Sequence, residues 1–202
     1  DSLVNKGKGY SKGVEFFLQK KLPKKFHFTI SYAYTISKGY DNRVNRYYNW
    51  DYDYRHIFTA IAGVKFKFSE KDWYKRLSRK LFYKVLIMLS PLAIGDETNI
   101  SFRWRYLGGR PYTEKTYHKD LHYWTTEPDT PLNGNRFPNY HRLDFRLLNR
   151  FFFKRWNAVF YLDLINIYNR KNVYDYFYRE DGSTKEVEQW MFLPMAGGQI
   201  EF

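Results

Sequence analysis

Cysteine is absent from the chain. That excludes a disulfide framework, a thiolate metal site and cysteine catalysis together. Long hydrophobic runs are also missing: no stretch of about 18–20 apolar residues occurs, so no transmembrane helix is expected. Residues 1–15 carry no apolar core flanked by basic residues and a small-residue cleavage site, so they do not look like a secretory leader. There is no Gly-x-Ser-x-Gly, no phosphate-binding loop and no dinucleotide-binding glycine pattern. No catalytic residue, metal ligand or cofactor is therefore assigned. A mean hydropathy of −0.69 looks like that of a water-soluble protein. Transmembrane β-barrels, however, alternate polar and apolar residues and average to similarly low values.

What is plentiful is aromatic and basic. Tyr, Phe and Trp number 20, 18 and 6, or 22% of the 202 residues, well above ordinary usage. Lys and Arg total 34 against 21 Asp and Glu, a formal charge of +13. An apolar share of 44% is too high for disorder. The length suits one domain or a piece of a larger one.

The aromatics fall with a period of two. Phe26, Phe28, Ile30, Tyr32, Tyr34 and Ile36 alternate with His27, Thr29, Ser31, Ala33 and Thr35, which sets large apolar groups on one face of a long strand. Phe58 to Phe68, Ile100 to Tyr106, Leu143 to Leu147 and Phe160 to Leu164 repeat the pattern. Shorter versions run through Val14, Phe16 and Leu18 and through Ile200 and Phe202. About seven strands are expected. A short turn joins the first two at Pro23-Lys24-Lys25, and another lies near Lys154–Asn157. Long loops span Ser37–His56, Gly108–His141 and Arg179–Trp190. Short turns at one end and long loops at the other describe an up-and-down barrel wall. One turn-side connection, Glu70–Glu97, is long. Trp73, Leu77, Leu81 and Val85 recur in it at helical spacing, and Pro91 stops the run, which predicts a basic amphipathic helix over Asp72–Ser90. Such a helix can lie on an anionic membrane surface or cover the barrel rim.

Alternation alone does not say which face is buried. In a soluble sandwich the aromatic face would be the core. In a barrel of about eight strands the interior has no room for so many rings. An outward aromatic face costs nothing in lipid, and Tyr and Trp near strand ends suit the membrane interface.

Several motifs carry a resemblance. "GYSKGVEFFLQKKL" (Gly9–Leu22), "DYDYRHIF" (Asp51–Phe58), "YLGGRPYT" (Tyr106–Thr113), "NRFPNYHRLDFR" (Asn135–Arg146) and "VFYLDLINIYNRKNVYDYFY" (Val159–Tyr178) occur in this order. Together they resemble the final third of a TonB-dependent outer-membrane receptor. The ending Met195 to Phe202, with Gly197, Ile200 and Phe202 at the matching places, resembles the assembly signal of outer-membrane barrels. That pattern prefers a polar residue where Met195 stands. The resemblance implies a plugged barrel of about 22 strands that imports siderophores, cobalamin, glycans or peptides with energy delivered through TonB. Residues 1–202 are then expected to be the C-terminal segment of an all-β, antiparallel transmembrane β-barrel, without plug or N-terminal strands. Long loops would be extracellular, and short turns and the helix periplasmic. Implied partners are outer-membrane lipid and lipopolysaccharide, the barrel-assembly machinery, the rest of the receptor with its plug, the TonB complex and a surface lipoprotein. The alternative is a soluble or surface-attached β-rich binding module with an aromatic core.

Two groups of residues are candidates for ligand contact. Tyr47, Tyr48, Trp50, Asp51 and Tyr52, with Asp53 and Tyr54 continuing the same run, combine flat ring faces with carboxylates, which suits sugars or cyclic ligands. They also fit an interfacial belt with no ligand role. Arg103, Arg105 and Arg142 share the polar face and suit anionic groups, or they brace the wall through Arg–Asp pairs with Asp144 and Asp163. His118 and His122 would bind a metal only if a helix set them side by side, and their surroundings predict a loop. Basic residues spread along strands, turns and helix do not form a nucleic-acid motif, so no nucleic-acid partner is assigned. Gly108-Gly109 and Gly197-Gly198 are expected at bends or bulges rather than around a phosphate.

Overall fold

The computed structural model describes residues 7–21, 25–42, 44–80, 82–83, 86–87 and 93–202. Among the described residues the chain is mainly antiparallel β, with a short helix at Asp72–Ser78 and helical backbone again at 82–83 and 86–87. Along it run β1 (Lys8–Lys20), β2 (Phe26–Asp41), β3 (Arg46–Asn49), β4 (His56–Lys67), α1 (Asp72–Ser78) and β5 (Glu97–Leu107). Four short strands follow: β6 (Pro111–Tyr112), β7 (Thr116–His118), β8 (Tyr123–Thr125) and β9 (Asn135–Arg136). The remainder is β10 (Tyr140–Phe152), β11 (Asn157–Ile165), β12 (Val173–Tyr178), β13 (Thr184–Glu188) and β14 (Leu193–Glu201).

Seven long strands form one meander in the order β1-β2-β4-β5-β10-β11-β14, with β3 added to the end of β2. They coincide with the seven segments of alternating sequence. Among the described residues the sheet does not close: β1 pairs with β2 and β14 with β11, and their outer edges have no strand partner.

The register keeps each alternating pattern in phase with the next. Tyr32 lies opposite Phe16 and Phe58, Ala62 opposite Phe102, Phe102 opposite Phe145, and Leu147 opposite Leu162. One apolar face therefore runs without interruption from β1 to β14. Its rings meet across strands, as Phe58 does with Trp104 at 5.3 Å and Phe102 with Phe145 at 5.3 Å between centroids. The opposite face is polar. Arg103 to Asp144 at 2.9 Å, Arg146 to Asp163 at 3.2 Å and Lys65 to Glu97 at 2.5 Å tie neighbouring strands there.

Among the described residues no second layer covers the middle of the apolar face: Phe16, Phe102 and Trp104 remain 55%, 44% and 38% exposed. Only the turn end is covered. There Tyr74 of α1, with Tyr83, Ile87 and Ala93, packs onto Phe151 and Ala158, joined by Phe68, Leu77 and Phe160. Phe151, Ala158 and Phe160 belong to the apolar face by register. Gly95 donates its amide to Thr98 and Asn149, both buried on that face. The α1 connection thus lies on the apolar side of the sheet.

The helix expected over Asp72–Ser90 is interrupted: helical backbone returns at 82–83 and 86–87 after a break, and α1 itself is short. It ends at Ser78, whose hydroxyl donates to the Lys75 carbonyl at 3.2 Å, and Lys80 closes an i−3 turn onto Leu77. A hydroxyl bonded back to the preceding turn competes with the helix ladder. Leu81, Val85, Met88, Leu89, Ser90 and Pro91 lie outside the described residues, as does the turn at Pro23-Lys24. The third long loop is also larger than expected: it opens at residue 166 and contains the β12–β13 hairpin.

Candidate ligand-binding loops

The three long connections rise from the same end of the sheet, because antiparallel strands joined by short turns return to it each time. They are bound to one another rather than separate. Asp53, at 1% exposure, is the centre of the strongest link. Its carboxylate accepts from Arg55 Nε at 2.9 Å, Arg136 at 2.7 Å and the Ser37 amide at 3.1 Å. Arg136 also donates to the Asp53 and Gly109 carbonyls. Burial pushes the Asp53 carboxyl up, but the bonds from Arg55, Ser37 and Arg136 outweigh it and hold the group below the usual carboxylate range. Arg55 occupies the left-handed region at φ 64°, a conformation costly for an arginine, and is held there by Asp53 and by Asn49 at 3.3 Å.

A second link joins the same two loops. Asn133, also left-handed at φ 51°, donates to the Asn49 carbonyl at 2.8 Å and to Asp51 at 2.7 Å, while Asn49 donates back to the Asn133 carbonyl at 3.1 Å. Gly108 and Gly109 complete the junction. A Cβ on either would run into a backbone carbonyl, that of Tyr54 or of Phe137, so only glycine lets these segments approach so closely. The sequence predicts a bend or bulge here; the two glycines serve a close approach between segments.

The third loop is tied in by aromatics. Tyr112, Phe137 and Tyr176 cluster with centroids 4.5 to 5.4 Å apart. Trp124 stacks near Tyr178 at 4.8 Å and donates Nε1 to the Arg179 carbonyl at 2.7 Å. Arg110 lies between the rings of Phe137 and Tyr174, 5.0 and 5.4 Å from their centroids. Burial pushes the phenols of Tyr112, Tyr176 and Tyr178 up, so they stay neutral hydroxyls.

An open groove of about 790 Å³ lies between the β2–β3 hairpin and the 126–132 segment. Val44, Arg46, Tyr47, Tyr48, Glu127 and Leu132 are among its walls. Ring faces, one guanidinium and carboxylates in one concavity suit a polar ligand with planar or ring portions. A smaller cleft of about 110 Å³ is lined by Tyr52, Tyr54, Arg110 and Tyr174.

The aromatic candidates of the first loop are thus distributed, not gathered. β3 pairs with β2 so that Tyr47 faces Tyr40 and Tyr48 faces Gly39. Tyr47 therefore sits on the apolar side, its ring 5.5 Å from Tyr10 and 5.1 Å from Tyr40. Tyr48 and Trp50 lie on the polar side, where Gly39 leaves room for both rings. Tyr47 and Tyr48 line the groove, Tyr52 lines the cleft, and Asp51 is occupied by Asn133. Of the arginines, Arg103 and Arg142 both bind Asp144, which also accepts the Asn166 amide, so they brace the wall. Arg105 lies opposite Arg142 in register, and its Nε has no hydrogen-bond partner among the described residues. Ile200 is on the apolar face and Phe202 is fully exposed. Gly197 is on the polar face, where the Tyr161 ring lies across it. His118 and His122 stand at the two ends of the β7–β8 turn and bind Glu127 at 2.8 Å and Tyr117 at 3.0 Å separately. Among the described residues no three His, Asp or Glu side chains gather as a metal site.

Of the link residues, Asp53 was a sequence candidate only as a ligand-facing carboxylate beside tyrosines, and Arg136, Asn49 and Asn133 were not among the candidates. The signal open to a sequence reader is weak: paired Asn-Arg and Asp-Tyr-Asp stretches in two loops more than eighty positions apart. Searches of protein families, characterised proteins and solved structures find no match for the chain.

Proposed function

We propose that the chain forms part of the transmembrane wall and outer loops of a TonB-dependent receptor, importing a scarce siderophore, cobalamin, glycan or peptide across a Gram-negative outer membrane. The observation that carries this reading is the uncovered apolar face. It crosses all seven long strands, and two rows of rings bound it, amphipathic ones toward the loops and a mix of Phe and Trp toward the turns. Toward the loops stand Tyr32, His56, Tyr106, His141 and Tyr168, with the Tyr32 hydroxyl 2.9 Å from His56 Nδ1 and the Tyr168 hydroxyl 2.7 Å from His141 Nδ1. Toward the turns stand Phe66, Phe68, Trp73, Phe153 and Trp156. From Thr98 to Tyr106 a strand advances about 26 Å, or about 20 Å of height when tilted as barrel strands are. That is close to the lipid-facing band of such barrels, about 25 Å.

The free edges of β1 and β14 support further strands on both sides, since lipid does not tolerate an open sheet edge. The polar face would then line the lumen and meet the plug. The loop groove would receive the ligand, with a surface lipoprotein as a candidate lid. A soluble binding module with the same face as its core would need a second layer that the described residues supply only at the turn end. The deciding experiment is the intact mass of the native protein extracted in detergent from the source outer membrane. A mass several times the 24.7 kDa of this chain supports the receptor. A membrane species of 24.7 kDa overturns the large barrel, and absence from membranes overturns the wall.

A further inference from the structure

We propose that the turn end of the wall is a binding face for anionic phospholipid headgroups, with α1 lying in the membrane interface on the lipid side of the strands. The inference rests on the transmembrane reading above and assigns a partner to one end of it.

Its first support is the distribution of charge. In the segment 70–80, five cations stand against the two carboxylates Glu70 and Asp72. Lys71, Lys75, Arg76, Arg79 and Lys80 are all exposed. Lys75 is 3.8 Å from Asp72 in a wet i,i+3 pair, which holds little of its charge. The other four have no ion pair among the described residues. The adjacent β10–β11 turn adds Lys154 and Arg155, both exposed, between the stacked rings of Phe153 and Trp156 at 4.0 Å.

Position supplies the second support. α1 buries Tyr74 against Phe151 and Ala158, at the lower margin of the apolar face. Trp73 and Phe82 are left 49% and 58% exposed beside the cations. Rings continuing an apolar face, with ammonium and guanidinium groups around them, match the boundary between acyl chains and phosphodiesters. Arginine forks and lysine ammoniums bind phosphodiester oxygens through charge-assisted hydrogen bonds. A soluble polyanion would satisfy the cations but leave Trp73 and Phe82 in water.

The test uses the full-length detergent-extracted protein reconstituted in vesicles of phosphatidylcholine mixed with phosphatidylglycerol, with bromine on the acyl chains of one lipid or the other. Trp73 is read as the difference between wild type and Trp73→Phe, and Trp104 in the same way with Trp104→Phe. Trp104 is expected to be quenched by either lipid, because it lies in the middle of the wall. Trp73 is expected to be quenched several-fold more by brominated phosphatidylglycerol. The Arg76→Gln, Arg79→Gln, Lys80→Gln triple variant is expected to lose that preference while keeping Trp104 quenching. Each neutralised cation should cost on the order of fivefold in headgroup affinity at low salt. Equal quenching of Trp73 by both lipids, or none while Trp104 is quenched, overturns the inference and leaves the wall intact. A preference at Trp73 for lipopolysaccharide over phosphatidylglycerol overturns it and inverts the orientation. Unquenched Trp104 overturns the wall reading, and the inference falls with it.

Discussion

Asp53 shows how much one carboxylate can hold. Two guanidiniums from different loops and a backbone amide converge on it, and together they close the carboxylate, though not themselves, to water. Removing Asp53 leaves the Ser37 amide and two partly hydrated guanidiniums without their acceptor, at a cost of about 1–3 kcal/mol. Asp53→Ala should therefore open both loops: faster proteolysis within 37–56 and 108–139, and a lower unfolding temperature in detergent. Asp53→Asn keeps the shape and loses the charge, so an intermediate effect is expected on the same two measurements. The pH dependence has a definite sign. The folded carboxyl is depressed, so its contribution is complete above the unfolded value of 3.8 and disappears as pH falls below it. Protease resistance of the loops should be constant from neutral pH to about pH 5 and fall toward pH 3, and this pH step should be absent in Asp53→Asn. None of this was legible beforehand. Arg136 and Asp53 are far apart in the chain, and an acidic residue between tyrosines is ordinary loop sequence.

At the scale of elements, legibility divides along one physical line. The long strands were readable because period-two alternation is local and the register adds nothing that contradicts it. The loops were not, because their structure comes from pairing between segments with little pattern of their own. β3 is the clearest case. Five clustered aromatic and acidic residues looked like one surface, yet folding Arg46–Asn49 back on β2 sends Tyr47 and Tyr48 to opposite faces. The helix was readable at its start, where Trp73, Tyr74 and Leu77 alternate with cations. The break after Ser78, where a hydroxyl bonds back to the Lys75 carbonyl, is what propensity does not foresee, and helical backbone returns at 82–83 and 86–87 as the spacing expects. The junction of wall and loop gives a test. Gly108→Ala places a methyl against the Tyr54 carbonyl, which belongs to backbone and cannot swing away. Overpacking of that kind costs about 1–3 kcal/mol, so the variant should unfold at lower temperature. Gly7→Ala, where no atom lies within 4 Å of the added methyl, should unfold like wild type.

At the scale of the whole molecule, the outer edges of β1 and β14 decide what surrounds the sheet. If further strands complete a barrel, amides of Lys8–Lys20 in the detergent-extracted native protein should exchange as slowly as those of β5. Exchange within seconds along β1, with β5 protected, would mean that the edge meets solvent. The order of strands carries a kinetic consequence as well. Each long strand lies beside its sequence neighbour throughout, so assembly needs no search among distant partners. Loop closure grows only with the logarithm of length, so the long outer connections slow each addition little. Growth can proceed one hairpin at a time from either edge, each new strand using the last as its template.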